Sequence, residues 1–258
     1  DVVSEGFNAV TYRGNNGSGT DGQSISGLGF EPALIWIKNR TNSSTHHVLF
    51  DYARGDQEWL ETSSTDAGQD SGTYGVQTHD ADGWTMGGGN DINRDGEPHI
   101  AWCWEGGGEP TATNSAGAGA TPTAGSVKID GSNLGSALAG TIAATRLSAN
   151  TTKGFSVVTF TSNGNDNQTV AHQLGAVPKW IIIKNRSATG AWVVGLTHTG
   201  FDWDNDYYQL SDTGAKRTDG SVLFLAQTLP ALCLLWLFIW FKRNKSCSVL
   251  LDRYFWLQ

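Results

Sequence analysis

The chain has 258 residues, 33 of them glycine, with one methionine, 11 tryptophans, 16 % charged residues and a formal charge of −8. This balance excludes a protein of long helices, which favour Ala, Leu, Glu and Lys over Gly, Asn, Ser and Thr. The acidic charge excludes nucleic acid as a partner, because phosphate contacts need clustered Lys and Arg.

In chain order, Phe7 to Tyr12 alternates as a strand of period two, and Arg13 to Ser26 is Gly, Asn and Ser, hence a loop. After Gly29-Phe30-Glu31-Pro32, the run Leu34-Ile35-Trp36-Ile37 predicts a buried strand that ends at Lys38-Asn39-Arg40. Further strands are predicted at Val48 to Asp51, Trp84 to Met86 and His99 to Trp104, separated by turn clusters at Asp80 to Gly83 and Asn90 to Gly96. No segment sustains an apolar spacing of 3.6, so the first 108 residues read as an antiparallel sandwich or jelly roll.

The segment 109–125 is Gly, Ala, Thr and Pro, which predicts a flexible linker, and 126–149 holds two connecting strands, Val127 to Ile129 and Ile142 to Leu147. Residues 150–220 then repeat the first module. Gly6-Phe7-Asn8-Ala9-Val10-Thr11-Tyr12 returns as Gly154-Phe155-Ser156-Val157-Val158-Thr159-Phe160. Leu28-Gly29 through Lys38-Asn39-Arg40 returns as Leu174-Gly175 through Lys184-Asn185-Arg186, and Trp59-Leu60-Glu61 as Tyr207-Tyr208-Gln209. Offsets of 146 to 148 residues indicate a duplicated domain rather than a solenoid unit. Trp36 and Trp180 are expected at matching positions on equivalent buried strands of the two copies, in the core.

Residues 221–258 contain no glycine, and Val222 to Phe241 is apolar apart from Gln227, Thr228 and Pro230 before Lys242-Arg243-Asn244-Lys245. Taken literally this is a membrane segment with a basic flank. The second copy also lacks, at this place, the aromatic strand, Asn/Gly turn and closing strand that the first copy has. A truncated second copy with a frame-shifted or chimeric end is therefore the favoured expectation, and membrane becomes a partner only if the 222–241 segment is genuine. The start at Asp1, without a methionine, is read as a fragment or processed product. Cys103, Cys233 and Cys247 give neither a disulfide framework nor zinc spacing.

The repeated blocks, with the closing Ile100-Ala101-Trp102-Cys103-Trp104 and the connector Ser148 to Ser156, resemble a repeated domain of unknown function. That domain occurs in virion and tail-fibre proteins of tailed bacteriophages, marine phages especially. The resemblance covers about Val3 to Arg217. It implies lectin-like or jelly-roll β-sandwich modules on a virion tail or surface appendage, used for assembly and host attachment. Implied partners are other virion subunits, a homotrimer among the assemblies, and a host-surface glycan. It carries no catalytic residue.

Asp91, Asn93 and Asp95 have the D-x-N-x-D-G spacing of a calcium loop, but Trp102 stands at the twelfth position in place of the bidentate Glu. An Asx-rich hairpin turn is the expectation, with calcium the one cofactor the spacing admits and no metal needed for folding. Trp59, Trp192 and Trp203 lie near turns and are the candidates for stacking on sugar rings, with core packing as the competing role. His172, just before Leu174-Gly175, is expected to hydrogen-bond a turn. No HExxH or G-x-S-x-G occurs, so no enzyme is expected. The alternative function is a soluble carbohydrate-binding or glycan-cleaving module, since the carboxylate pair of a glycosidase is a three-dimensional property.

Overall fold

The computed structural model describes residues 6–16, 22–165, 168–203 and 205–218, and the backbone of 222–226, 234–239 and 254–257. The chain divides into two units, Asp1–Gly106 and Gly107–Gln258. The fold is all-β, of sandwich type, with several antiparallel sheets and no closed barrel.

In unit 1 the strands are β1 (Phe7–Arg13), β2 (Gln23–Ser26), β3 (Pro32–Asn39), β4 (His47–Asp51), β5 (Glu58–Glu61), β6 (Gln69–Asp70), β7 (Val76–Asp80), β8 (Gly83–Met86) and β9 (Pro98–Glu105). One short helix, α1 (Asn90–Asn93), precedes β9. A six-stranded sheet runs β1-β9-β3-β4-β5-β6 and a three-stranded sheet runs β2-β8-β7. Their facing sides share one core: Ile35 and Ile37, Val48 and Phe50, Ala101 and Cys103 from the larger sheet, and Ile25, Val76, Trp84 and Met86 from the smaller. The alternation of inward and outward residues along β9 explains why Ala101 and Cys103 are fully buried while Ile100, Trp102 and Trp104 are half-buried.

Unit 2 contains β10 (Val127–Ile129), β11 (Ser132–Asn133), β12 (Ala144–Asn150), β13 (Phe155–Phe160), β14 (Gln168–Ala171), β15 (Trp180–Ile183), β16 (Val193–Leu196), β17 (Asp206–Gln209), β18 (Arg217–Thr218), β19 (Val222–Ala226), β20 (Leu234–Ile239) and β21 (Tyr254–Leu257). Its large sheet runs β11-β10-β12-β13-β21-β15-β16-β17-β18 and its small sheet β14-β20-β19. From β13 onward, each strand takes the position of its counterpart in unit 1, so the duplication extends to topology. Tyr254–Leu257 pairs with both β13 and β15, in the slot that β9 fills between β1 and β3. The second copy thus acquires a closing strand from the tail that the sequence marks as foreign. The remainder of that tail lies outside the described residues, including 227–233 and 240–241 of the membrane-segment reading and the basic flank 242–245. No helix among the described residues is long and apolar enough to cross a membrane.

Two expectations are corrected. The segment 109–125 is folded into unit 2 rather than free. Thr111 N donates to Gly125 O at 2.9 Å, Asn114 N to Thr145 O at 2.8 Å, and Leu138 N to Ala120 O at 3.0 Å. Its small residues permit close backbone contacts, and composition alone cannot separate that use from flexibility. The second correction concerns Trp36 and Trp180, which lie on equivalent strands but at different positions. Lys38-Asn39 matches Lys184-Asn185, so Trp36 corresponds to Ile182 and Trp180 to Leu34. The ladders agree, with Trp36 paired to Leu49 of β4 and Ile182 to Val194 of β16. Both tryptophans are half-buried, while Ile35, Ile37, Ile181 and Ile183 fill the cores.

Candidate functional site

The two copies share a framework and differ in several connections, one of them at the end of the sheet where β4 meets β5 and β16 meets β17. In unit 1 the connecting loop is residues 52–57; in unit 2 it is the longer stretch 197–205.

The unit 1 loop is held by a buried ion pair. Arg54 Nε donates to Asp51 Oδ2, Arg54 N to Asp51 Oδ1 at 2.9 Å, and Nη2 to Leu49 O at 2.7 Å, with both side chains inaccessible. Above it lies a depression of about 290 Å³ lined by Gly55, Asp56, Gln57, Glu58 and Asp70. Glu58 and Asp70 are direct cross-strand partners, a like-charge pairing that weakens a sheet. His79 approaches from β7: Nδ1 donates to Pro32 O at 2.6 Å, and Nε2 stands 3.9 Å from Asp56 Oδ1 without a hydrogen bond. Burial pushes its pKa down, against the opposing pull of the Pro32 carbonyl and the nearby carboxylates.

In unit 2 the matching cross-strand pair is Asp206 with Thr218, and the depression is replaced by a clamp. Lys216 Nζ reaches Asp206 Oδ2 at 2.5 Å and Gly200 O at 3.1 Å. Thr218 Oγ1 donates to Asp206 Oδ1, and Asp202 N donates to Asp206 Oδ2 at 2.9 Å. These donors, Lys216 first, hold the Asp206 carboxyl at a pKa of about 2. Asn205 Nδ2 adds a bond to Asp202 Oδ2 at 2.7 Å. On the loop so fixed stands a group of aromatic rings. Phe201 and Tyr208 lie nearly parallel, 6.1 Å apart and inclined by 13°. Trp203 meets Phe201 edge-on at 5.2 Å, and His198 lies 5.5 Å from Phe201. His198 Nδ1 donates to Thr199 O at 2.8 Å and its Nε2 is 3.1 Å from the Tyr208 hydroxyl. His198 is exposed; Phe201, Trp203 and Tyr208 are half-buried.

The residues singled out in the sequence are not gathered at one site. Trp203 belongs to this aromatic group and also packs on the unit 2 core. Trp192 is fully buried, which removes it as a sugar platform. Trp59 packs against the unit 1 core, 6.4 Å from Phe50. Asp91 and Asn93, two of the calcium-loop candidates, are each engaged in hydrogen bonds of their own. Asp91 Oδ1 accepts His46 N at 2.6 Å, while Asn93, fully buried, accepts Asn15 N at 2.8 Å and donates to Asn15 Oδ1 and Gly87 O. Asp95 is exposed and Gly14 bridges to it through the backbone. Among the described residues no three His, Cys, Asp or Glu side chains are grouped to hold a metal. Sequence reasoning missed His198, Phe201 and Tyr208, whose signal was the loop lengthening between otherwise matched strands.

Two other motifs resolve as turn devices. Asn39 Oδ1 accepts Thr41 N and Asn42 N at 3.1 and 3.0 Å, and Asn185 Oδ1 accepts Ser187 N at 3.0 Å, so the repeated Lys-Asn-Arg ends each strand with an Asx turn. The Leu-Gly turn is held in unit 1 by Asp82, whose carboxylate accepts Gly27 N and Gly29 N at 3.0 and 2.6 Å. In unit 2 His172 Nδ1 takes this part, accepting Leu174 N at 3.2 Å, as the sequence suggests.

The family profile described as "Domain of unknown function (DUF7483)" matches residues 3–235, and the chain belongs to that family. The match runs past Arg217 into the apolar tail. No curated protein and no solved structure matches the chain.

Proposed function

We propose that the chain is a non-enzymatic segment of a bacteriophage virion or tail-fibre protein, located on the tail or a surface appendage. Its two β-sandwich units serve assembly with other virion subunits, a homotrimer among the arrangements, and attachment to the host surface. The observation that carries the reading is the duplicated strand order with divergent loops at one end of the sheet. A repeated framework whose connecting loops vary multiplies surface for contact, as loops on fixed scaffolds do. The repeated blocks also resemble phage virion modules. Immunogold labelling of purified particles with antibody to this chain tests it. Gold on tails or fibres is expected, and particles that contain the chain nowhere would overturn the proposal.

A second reading, a soluble carbohydrate-binding or glycan-cleaving module, is favoured by the aromatic loop of unit 2. Incubating the chain with isolated cells and purified lipopolysaccharide separates the readings: binding without release of sugar fits attachment, and hydrolysis fits a glycosidase.

A further inference from the structure

The geometry points to a binding site for neutral carbohydrate in unit 2, built on the rings of Phe201 and Tyr208 with His198 at the rim. It rests on the attachment reading, for which it names the contacting surface and the ligand class.

Three observations carry it. First, these aromatics are not demanded by the fold. Tyr208 pairs with Val194 as Leu60 pairs with Leu49, so the equivalent residue in the other copy is a leucine. Likewise, the shorter unit 1 loop, Tyr52 to Gln57, has one aromatic side chain, and that one is buried. The other copy of the domain therefore serves as a control, forming the same sheet without the platform. Second, the rings are held before any ligand arrives. The Asp206 clamp ties Gly200, Asp202, Lys216 and Thr218 together, which lowers the ordering cost of binding. Third, the surroundings select the ligand. Half-exposed ring faces suit the C–H face of a pyranose, while the Tyr208 hydroxyl and the Asp202–Asn205 pair supply hydrogen-bonding groups beside them. The neighbouring cations are engaged, Lys216 by Asp206 and Arg217 by Asp212. The exposed Asp202 adds negative charge beside the rings, so an anionic sugar is repelled.

The experiment is affinity electrophoresis of the full chain through gels containing dextran, laminarin, alginate or polygalacturonate. Retardation by at least one neutral polysaccharide, and by neither anionic one, is expected. Tyr208→Leu, which installs the residue the first copy carries, and Phe201→Ala should each weaken that retardation at least about ten-fold, the loss expected of a stacking contact of order 1.4 kcal/mol. Tyr74→Ala, at an exposed aromatic of unit 1, should leave it unchanged, and circular dichroism of each variant should match the parent. The proposal is overturned by no retardation in any gel, by retardation in the anionic gels alone, or by equal retardation of the parent and both loop variants. If either loop variant fails to fold, Tyr208→Phe gives the reading instead: retained binding supports ring stacking and lost binding overturns it. Particle labelling can fail while this binding holds, and the reverse, so the two proposals fall separately.

Discussion

At the scale of single residues, the two copies reach the same turn by different chemistry, and this sets a pH dependence. The carboxylate of Asp82 holds its turn by accepting backbone N–H groups, which lower its pKa. His172 does so through a neutral ring nitrogen, and burial pushes its pKa down to about 4 from 6.5. Below pH 6.5 the unfolded chain takes up a proton that the folded chain refuses until about pH 4. Stability is therefore full above pH 6.5 and falls through that window, by at most about 3 kcal/mol from this residue. Denaturant melts of unit 2 fluorescence between pH 7 and 4.5 should show the fall, and His172→Asn should flatten it. Burial lowers the pKa of His79 and His99 as well, so unit 1 should lose stability in the same direction. Asn93 is a second test. Its amide is saturated by Asn15 and Gly87, so Asn93→Ala should cost about 2–3 kcal/mol through orphaned buried partners. Millimolar calcium should leave the melting temperature unchanged in the parent and in Asp91→Ala; a rise in the parent that Asp91→Ala abolishes would show that the loop binds metal.

At the scale of elements, what was legible follows from how many side chains an element buries. β3, β4 and β8 each put two or more large apolar residues inward, and β9 carries Ile100, Trp102 and Trp104 on its half-buried outer side, so all four stood out in the sequence. β2 and β7 offer one each, Ile25 and Val76, and β6 none, so Gln-Ser-Ile-Ser reads as loop and Val-Gln-Thr-His-Asp does not stand out as a strand. The helix α1 is one turn inside an Asn/Asp cluster, too short for any periodicity. The aromatic site escaped for a different reason: its residues come from a loop and a strand that only the fold brings together, and Trp192, a candidate by composition, points into the interior. The position of β9 yields a direct test. Ala101 pairs with Val10 on one side and Ile37 on the other. Ala101→Pro removes an N–H from a strand with ladders on both flanks and should cost at least about 3 kcal/mol. Loss of the near-ultraviolet dichroism of the unit 1 tryptophans would register it; an unchanged spectrum and melt would contradict the central placement of β9.

At the scale of the whole molecule, the two units have separate cores and should unfold as separate transitions. A chain ending at residue 106 should keep the unit 1 transition in calorimetry. A chain ending at residue 220 loses β19, β20 and β21, and with them the strand between β13 and β15. It should keep the unit 1 transition and lose cooperative melting of unit 2. Retention of both would mean that the tail contributes nothing to the second sandwich, as a frame-shifted end predicts. Resequencing the DNA bears on the same point, because a shifted frame should encode a strand like Ile100 to Trp104 in its place.

The central position of the last strand also governs the order of events during synthesis. β9 begins at Pro98, whereas its neighbours β1 and β3 begin at Phe7 and Pro32. A nascent chain emerging from the ribosome therefore has both flanking strands waiting, with open backbone edges, until the final element of the unit arrives. Such long-range closure makes for slow folding. The translation rate over residues 40–105, and any chaperone that shields the open slot, thus control how much chain reaches the native sandwich before those edges find another strand.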